Sequence, residues 1–146
     1  MTTLEQVKEL HEKFNCPVAE KTAWHPKTTV GYDTIKLRLN LLQEELDELE
    51  TSLYNFSEEG DTQACDVEVL DALCDLQVVL DGAFLALGFW RVKDEAMAEV
   101  HRSNMSKLGA DGKPVLREDG KFLKGPNYSP PNLKPIVEKL YVTQNP

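Results

Sequence analysis

The chain has 146 residues, 41% hydrophobic and 28% charged, with a net charge of −9 and a sequence pI near 4.8. That is the size of one domain, with enough apolar residues to bury a core. The acidic balance argues against a nucleic-acid or anionic-membrane surface, which needs clustered Lys and Arg. It leaves room for a phosphate-bearing small substrate, because bound cations invert the local field.

Cys16, Cys65 and Cys74 are odd in number and form no CxxC, so they read as reduced thiols of a cytoplasmic protein. The N-terminal stretch MTTLEQVKEL is charged and amphipathic, unlike a signal peptide. The apolar run from Leu76 to Leu87 is interrupted by Asp81 and Gly82 and is too short to span a bilayer.

Thr2 and Glu5 form a capping-box pattern for a first helix near residues 3–14. Its packed face carries Leu4, Val7, Leu10 and Phe14. Residues 15–32 read as a long loop, either mobile or a lid. Trp24 and His25 within it are candidates for ligand contact, with Trp24 alternatively covering core.

Asp33 is the expected cap of a second helix, residues 33–56. Ile35, Leu39, Leu42, Leu46, Leu49, Leu53 and Phe56 step by four and three as a packing stripe. Lys36, Asn40, Gln43, Asp47 and Glu50 fall on the opposite, solvated face at about 100° per residue. Glu45 and Glu48 lie on a flank with Leu37 and Leu41, and Glu44 borders it. Acids spaced i, i+3 among leucines are not explained by solvent alone.

NFSEEGD, from Asn55 to Asp61, reads as a turn into a third helix, residues 61–88. That helix is apolar on most sides and is expected to be central. Glu68, Asp71 and Asp75 share one of its faces at i, i+3 and i+7. Carboxylates on the inside of such a helix repel unless a cation compensates them. A hard divalent ion with oxygen ligands answers that requirement.

Gly88 ends the third helix, and residues 92–108 read as a fourth with Asp94 and Glu95 at its N-terminal end. His101, Asn104 and Lys107 step by three along it, so an amide and an ammonium are placed to hold a base edge or a phosphate, or to form an exposed polar face. Asp119-Gly120 signals a small hairpin in the most basic stretch, with Lys113, Arg117, Lys121 and Lys124. The prolines of GPNYSPPNLKP restrict the backbone. Tyr128 there either stacks on a base or packs on the body. Ile136 to Tyr141 reads as a short final helix. The expected organisation is one all-α domain over 1–146, with its core in 34–108 and a hairpin and Pro-rich segment in 109–140.

The acidic elements resemble a known family. EELDE, Glu44 to Glu48, matches the E-E-x-x-E element of the all-α nucleoside triphosphate pyrophosphohydrolases. Glu68-Val-Leu-Asp71 matches their E-x-x-D element, followed by Asp75. That superfamily includes MazG-like enzymes, dimeric dUTPases, dCTP pyrophosphatases and phosphoribosyl-ATP pyrophosphohydrolases. EVHRSNMSK and GKFLKGPNYSPPNL look like a MazG-like, phosphoribosyl-ATP pyrophosphohydrolase-like branch. The resemblance runs over roughly residues 34–133.

The resemblance implies a bundle of four or more helices assembled as a homodimer or homotetramer. It implies Mg²⁺, with Mn²⁺ as substitute, held by Glu45, Glu48, Glu68 and Asp71. It implies cleavage of a nucleoside triphosphate between the α- and β-phosphates, with dUTP, dCTP or dGTP as candidates. Glu44 or Glu48 is then the catalytic carboxylate that orients or deprotonates water. Asn104, Lys107, Arg38, Asp75, Tyr128 and Trp24 make up the expected substrate-binding set. Phosphoribosyl-ATP is the alternative substrate, and a non-enzymatic cation-binding helical module is the alternative class. A ferritin-like di-iron protein is excluded, because no His lies three residues after a Glu.

Overall fold

The computed structural model describes residues 1–59 and 62–142. Among these the chain is helical, with α1 (Thr3–Lys13), α2 (Tyr32–Glu59), α3 (Thr62–Ala86), a 3₁₀ turn (Trp90–Val92), α4 (Lys93–Met105) and α5 (Lys134–Val142). The all-α expectation holds. Two compact units divide the chain, residues 1–90 and 91–146.

In the first unit, α3 packs against both α1 and α2. Small residues on α3 make this close approach possible. Ala72, Gly82, Ala83 and Ala86 are all buried, and short side chains let neighbouring backbones draw near.

α1 begins with the capping box its sequence encodes. The Glu5 amide donates to Thr2 Oγ1 at 3.2 Å, and the Thr2 amide donates to Glu5 Oε2 at 2.6 Å. α1 ends on Asn15 at φ 56°, with the Cys16 amide donating to the His11 carbonyl at 2.8 Å. This left-handed residue and six-to-one bond satisfy terminal carbonyls. The expected face of α1 is corrected in part. Val7 and His11 are its buried residues, while Leu10 and Phe14 are exposed.

α2 starts one residue earlier than expected. The Thr34 and Ile35 amides donate to the Gly31 carbonyl, so Asp33 sits in the first turn instead of capping it. The helix also runs through Phe56 to Glu59, past the expected end. The rest of the expected turn, Gly60 and Asp61, lies outside the described residues.

The leucine stripe of α2 splits. Ile35, Leu42 and Leu49 are half-buried, whereas Leu39, Leu46 and Leu53 are exposed. Arg38, Glu45 and Ser52 take the remaining places on the covered face. Burial therefore follows the seam with α3, and the second leucine row lies beside it. α3 is likewise less enclosed than expected. Cys65, Val69, Ala72, Leu76, Val79, Ala83 and Ala86 are covered at helical spacing, but Val67, Leu70, Leu73 and Leu80 remain exposed.

The loop between α1 and α2 is tied to the C-terminal end of α3. The Ala19 amide donates to the Leu85 carbonyl at 2.9 Å and the Ala23 amide to the Leu87 carbonyl at 3.1 Å. Trp90 Nε1 donates to the Ala19 carbonyl at 2.9 Å. A helix end leaves its last carbonyls without intrahelical partners, and this loop supplies donors for them. These bonds anchor residues 19–23, the middle of the expected loop. Gly88 closes α3 at φ 81°, where an added Cβ would stand 2.3 Å from the Lys21 carbonyl oxygen.

In the second unit, residues 125–133 run back along α4. Arg102 Nε donates to Glu99 Oε2 and its Nη2 to the Pro130 carbonyl. The Asn132 amide donates to Glu99 Oε1 at 2.7 Å, and the Ser129 amide to Ser106 Oγ at 2.9 Å. The expected hairpin is present as a single antiparallel bridge, Leu116 to Phe122, closed by a turn with Gly120 at φ 83°. The Gly120 amide bonds the Arg117 carbonyl and the Arg117 amide bonds the Lys121 carbonyl, a three-residue loop with its glycine left-handed.

Two outcomes follow. Gly88→Ala combines left-handed strain with a backbone clash and lowers the unfolding free energy by more than about 2 kcal/mol, as read from denaturant midpoints. Glu99 is held at about 2 by its Arg102 bonds and the Asn132 amide. Its contribution is present above pH 4.5 and is lost as pH falls towards 2. The protection factor of the Asn132 amide, followed by NMR through that window, falls in step.

Candidate active site

The α2–α3 seam places one carboxylate where a carboxylate is costly. Glu45 is half-buried, and its Oε2 is sealed from solvent with no hydrogen-bond partner. Burial raises its pKa, and the charges of Glu48, Asp75 and Glu44 raise it further. Three other acids therefore act on Glu45, one of them from the facing helix. Glu44 and Glu48 are exposed, as are Glu68, Asp71 and Asp75 on α3. The expectation that the α3 acids face inward is corrected. Their side chains stand at the rim of the seam.

Glu48 and Glu68 line one open cleft of about 360 Å³ together with Asp47, Thr51, Ser52 and Asn55. Asp47 was expected on the solvated face. It lines this cleft while accepting a 2.6 Å bond from Gln43 Nε2. Asp75, one turn further along α3 than Asp71, is the α3 acid whose charge adds to that of Glu48 in raising the Glu45 pKa. Glu45 lies 14 residues before Glu59 at the end of α2 and Asp75 13 residues after Thr62 at the start of α3, so their approach was readable from the helix register.

The charge of this group suits a cation. A carboxylate oxygen without a donor, amid three more acids, is a group that a hard divalent ion compensates. The side chains do not by themselves form a cage. Among the described residues, no three Asp, Glu, His or Cys side chains converge as ligands.

The remaining expected residues are dispersed. Arg38 is 7% exposed, with its Nε sealed and unpartnered, so it lies inside the first unit. A Cβ on Gly82 would stand 3.0 Å from both Arg38 Nη1 and His11 Nε2. Glycine at that place lets the guanidinium and the imidazole share the space beside α3. His11 is anchored by a 2.8 Å bond between Nδ1 and the Pro17 carbonyl, and burial lowers its pKa. This cluster was missed in the sequence, since it joins α1, α2 and α3.

Trp24 is 66% exposed, its ring tilted at 6.0 Å from Phe89, so it does not cover core. Asn104 and Lys107 belong to the second unit and bond to each other, Lys107 Nζ donating to Asn104 Oδ1 at 2.8 Å. Tyr128 is half-buried, with Lys124 Nζ 4.6 Å from its ring centre.

Two long helices with acids gathered along their seam define an all-α protein built to concentrate negative charge. The sequence profile of the phosphoribosyl-ATP pyrophosphohydrolases matches residues 7–104, and the chain belongs to that family, within the MazG-like all-α superfamily. It is a pyrophosphohydrolase, a hydrolase acting on phosphoric anhydrides. No curated protein sequence matches the chain. The matched span takes in both acidic elements and Asn104, and leaves Lys107 and Tyr128 outside.

If Glu45 carries an uncompensated charge, neutralising it helps the metal-free protein. A carboxylate with a raised pKa binds protons more readily in the folded state, so stability falls as pH rises from 4.5 through its folded value. Glu45→Gln therefore raises the melting temperature at pH 7 in EDTA and flattens that pH dependence.

Proposed function

We propose that this enzyme is a metal-dependent (deoxy)nucleoside triphosphate pyrophosphohydrolase that yields the nucleoside monophosphate and pyrophosphate. The observation that carries the reading is the sealed, unpartnered oxygen of Glu45 amid Glu48, Asp75 and Glu44. Glu45 and Glu48, with Glu68, Asp71 and Asp75 from α3, would hold Mg²⁺ or Mn²⁺. Such an ion neutralises phosphate charge and lowers the pKa of water at the site.

The chain's own groups divide the remaining work. Glu44 and Glu48 are exposed on α2 and available to orient a water and accept its proton as it adds to phosphorus. The bond between phosphorus and the departing pyrophosphate oxygen breaks in the same displacement. Arg38, inside the first unit, supports the α2 face that carries Glu45 without touching substrate.

The exposed Val67, Leu70, Leu73 and Leu80 on α3 support a homodimer or homotetramer built by helix packing, since a lone chain leaves this apolar row in water. None of the three cysteines forms a disulfide, and no single helix among the described residues is long and apolar enough to cross a membrane.

A second reading, hydrolysis of phosphoribosyl-ATP, is favoured directly by the family match over residues 7–104. The two readings share the triphosphate and differ in what it is attached to. Chromatography of products from each nucleoside triphosphate and from phosphoribosyl-ATP, with Mg²⁺ or Mn²⁺, separates them. Monophosphate and pyrophosphate from a nucleoside triphosphate uphold the first reading. Turnover of phosphoribosyl-ATP alone replaces it with the second. Diphosphate and phosphate, or no product from any substrate, refutes both.

Glu48→Gln and Asp75→Asn should each lower kcat by about a hundredfold or more with helix content unchanged. Glu9→Gln, on α1 and paired with Lys13, should leave it unaltered.

A further inference from the structure

The segment beyond the family match contains an arm that has no core of its own. Every residue from 110 to 124 is exposed. Within it Leu116 and Phe122 form the bridge pair, so their side chains share one face of the hairpin, at 52% and 65% exposure. Val115 and Leu123 lie on the other face and are exposed as well. Between residues 110 and 124 the arm carries four basic and three acidic side chains, with Arg117 paired to Asp119, in a chain whose net charge is −9. The arm is thus apolar and positive, while the chain as a whole is negative.

A groove of matching character lies on α2. It has a volume of about 560 Å³ and is lined by Leu46, Leu49, Glu50, Leu53 and Tyr54. Leu46 and Leu53 are 48% and 52% exposed. The groove is apolar with one carboxylate at its side, and the arm is apolar with ammonium groups beside its aromatic residue. Leu46 and Leu53 on the groove and Leu116 and Phe122 on the arm are all large apolar side chains left exposed.

We propose that the hairpin arm of one copy docks into the α2 groove of a second copy. Phe122 and Leu116 fill the slot between Leu46, Leu49 and Leu53, and Lys113 or Lys121 meets Glu50 at its margin. An aromatic anchor in an apolar slot with a charged rim is how compact interfaces gain both affinity and register. The contact lies outside the matched family span on the arm's side, so it belongs to this chain's C-terminal extension. It does not depend on which phosphoric anhydride the enzyme cleaves.

The test uses the unmodified protein. Equal amounts of ¹⁴N- and ¹⁵N-labelled chain are mixed, equilibrated and treated with a carbodiimide, which joins a carboxylate to an adjacent lysine amine without a spacer. Peptides linking Glu50 to Lys113 or Lys121 are then sought by mass spectrometry. The proposal requires linked peptides carrying one label from each copy, and their loss in Phe122→Asp, whose substitution is on an exposed side chain and leaves helix content unchanged. Linked peptides of uniform label only would place each arm on its own groove and overturn the proposal. Absence of the link in a protein that circular dichroism shows to be folded also overturns it, as does a mixed-label link that survives Phe122→Asp. Turnover measured in parallel keeps this result separate from the catalytic reading.

Discussion

A carboxylate held between two helices governs the first unit. Ordinary packing would fill the α2–α3 seam with aliphatic side chains, and along much of its length it does. At Glu45 the pattern breaks, and an oxygen loses water without gaining a donor. Acids on both helices then add their charge. Such a group is tolerated only where the surrounding packing holds the helices together regardless. Here the small residues of α3 and the bonds from the loop to its C-terminal end supply that hold.

Local signals in the sequence translated well. Thr2 and Glu5 cap α1 as their spacing demands, and Asp119-Gly120 turns the chain where such a pair should. Helix existence was equally readable, since leucines at steps of three and four leave few other solutions. What periodicity does not encode is which neighbour a face meets. Leu42 and Leu46 are one turn apart in the same stripe, yet one is half-buried against the chain's own α3 and the other stands open. The same ambiguity put Glu45 on a flank when it belongs to the seam.

The candidate site was legible as composition and only partly as geometry. The two acidic elements were found by spacing and resemblance, and the family match covers both. The partnership of Glu45 with Asp75 depends on the register of two helices. The position of Arg38 depends on more. Its guanidinium fits because residue 82 has no side chain and because His11 approaches from a third helix. No single stretch of chain carries that information. Trp24 fails as a core residue for a related reason, since its loop is anchored by backbone bonds further back and leaves the indole outside.

The bonds from that loop to the end of α3 bear on the order in which the chain folds. α2 and α3 follow each other closely in sequence, so their pairing closes only a short loop. Ala19 and Trp90, by contrast, meet across 71 residues. Closing so long a loop costs entropy before any contact repays it. Loop-closure entropy therefore favours a helical hairpin that forms before the N-terminal segment docks onto the last carbonyls of α3. A nascent chain must hold residues 1–31 in reserve until α3 has been synthesised. Burial of His11 and Arg38 waits on that docking, since their shared space lies where α1, α2 and α3 meet.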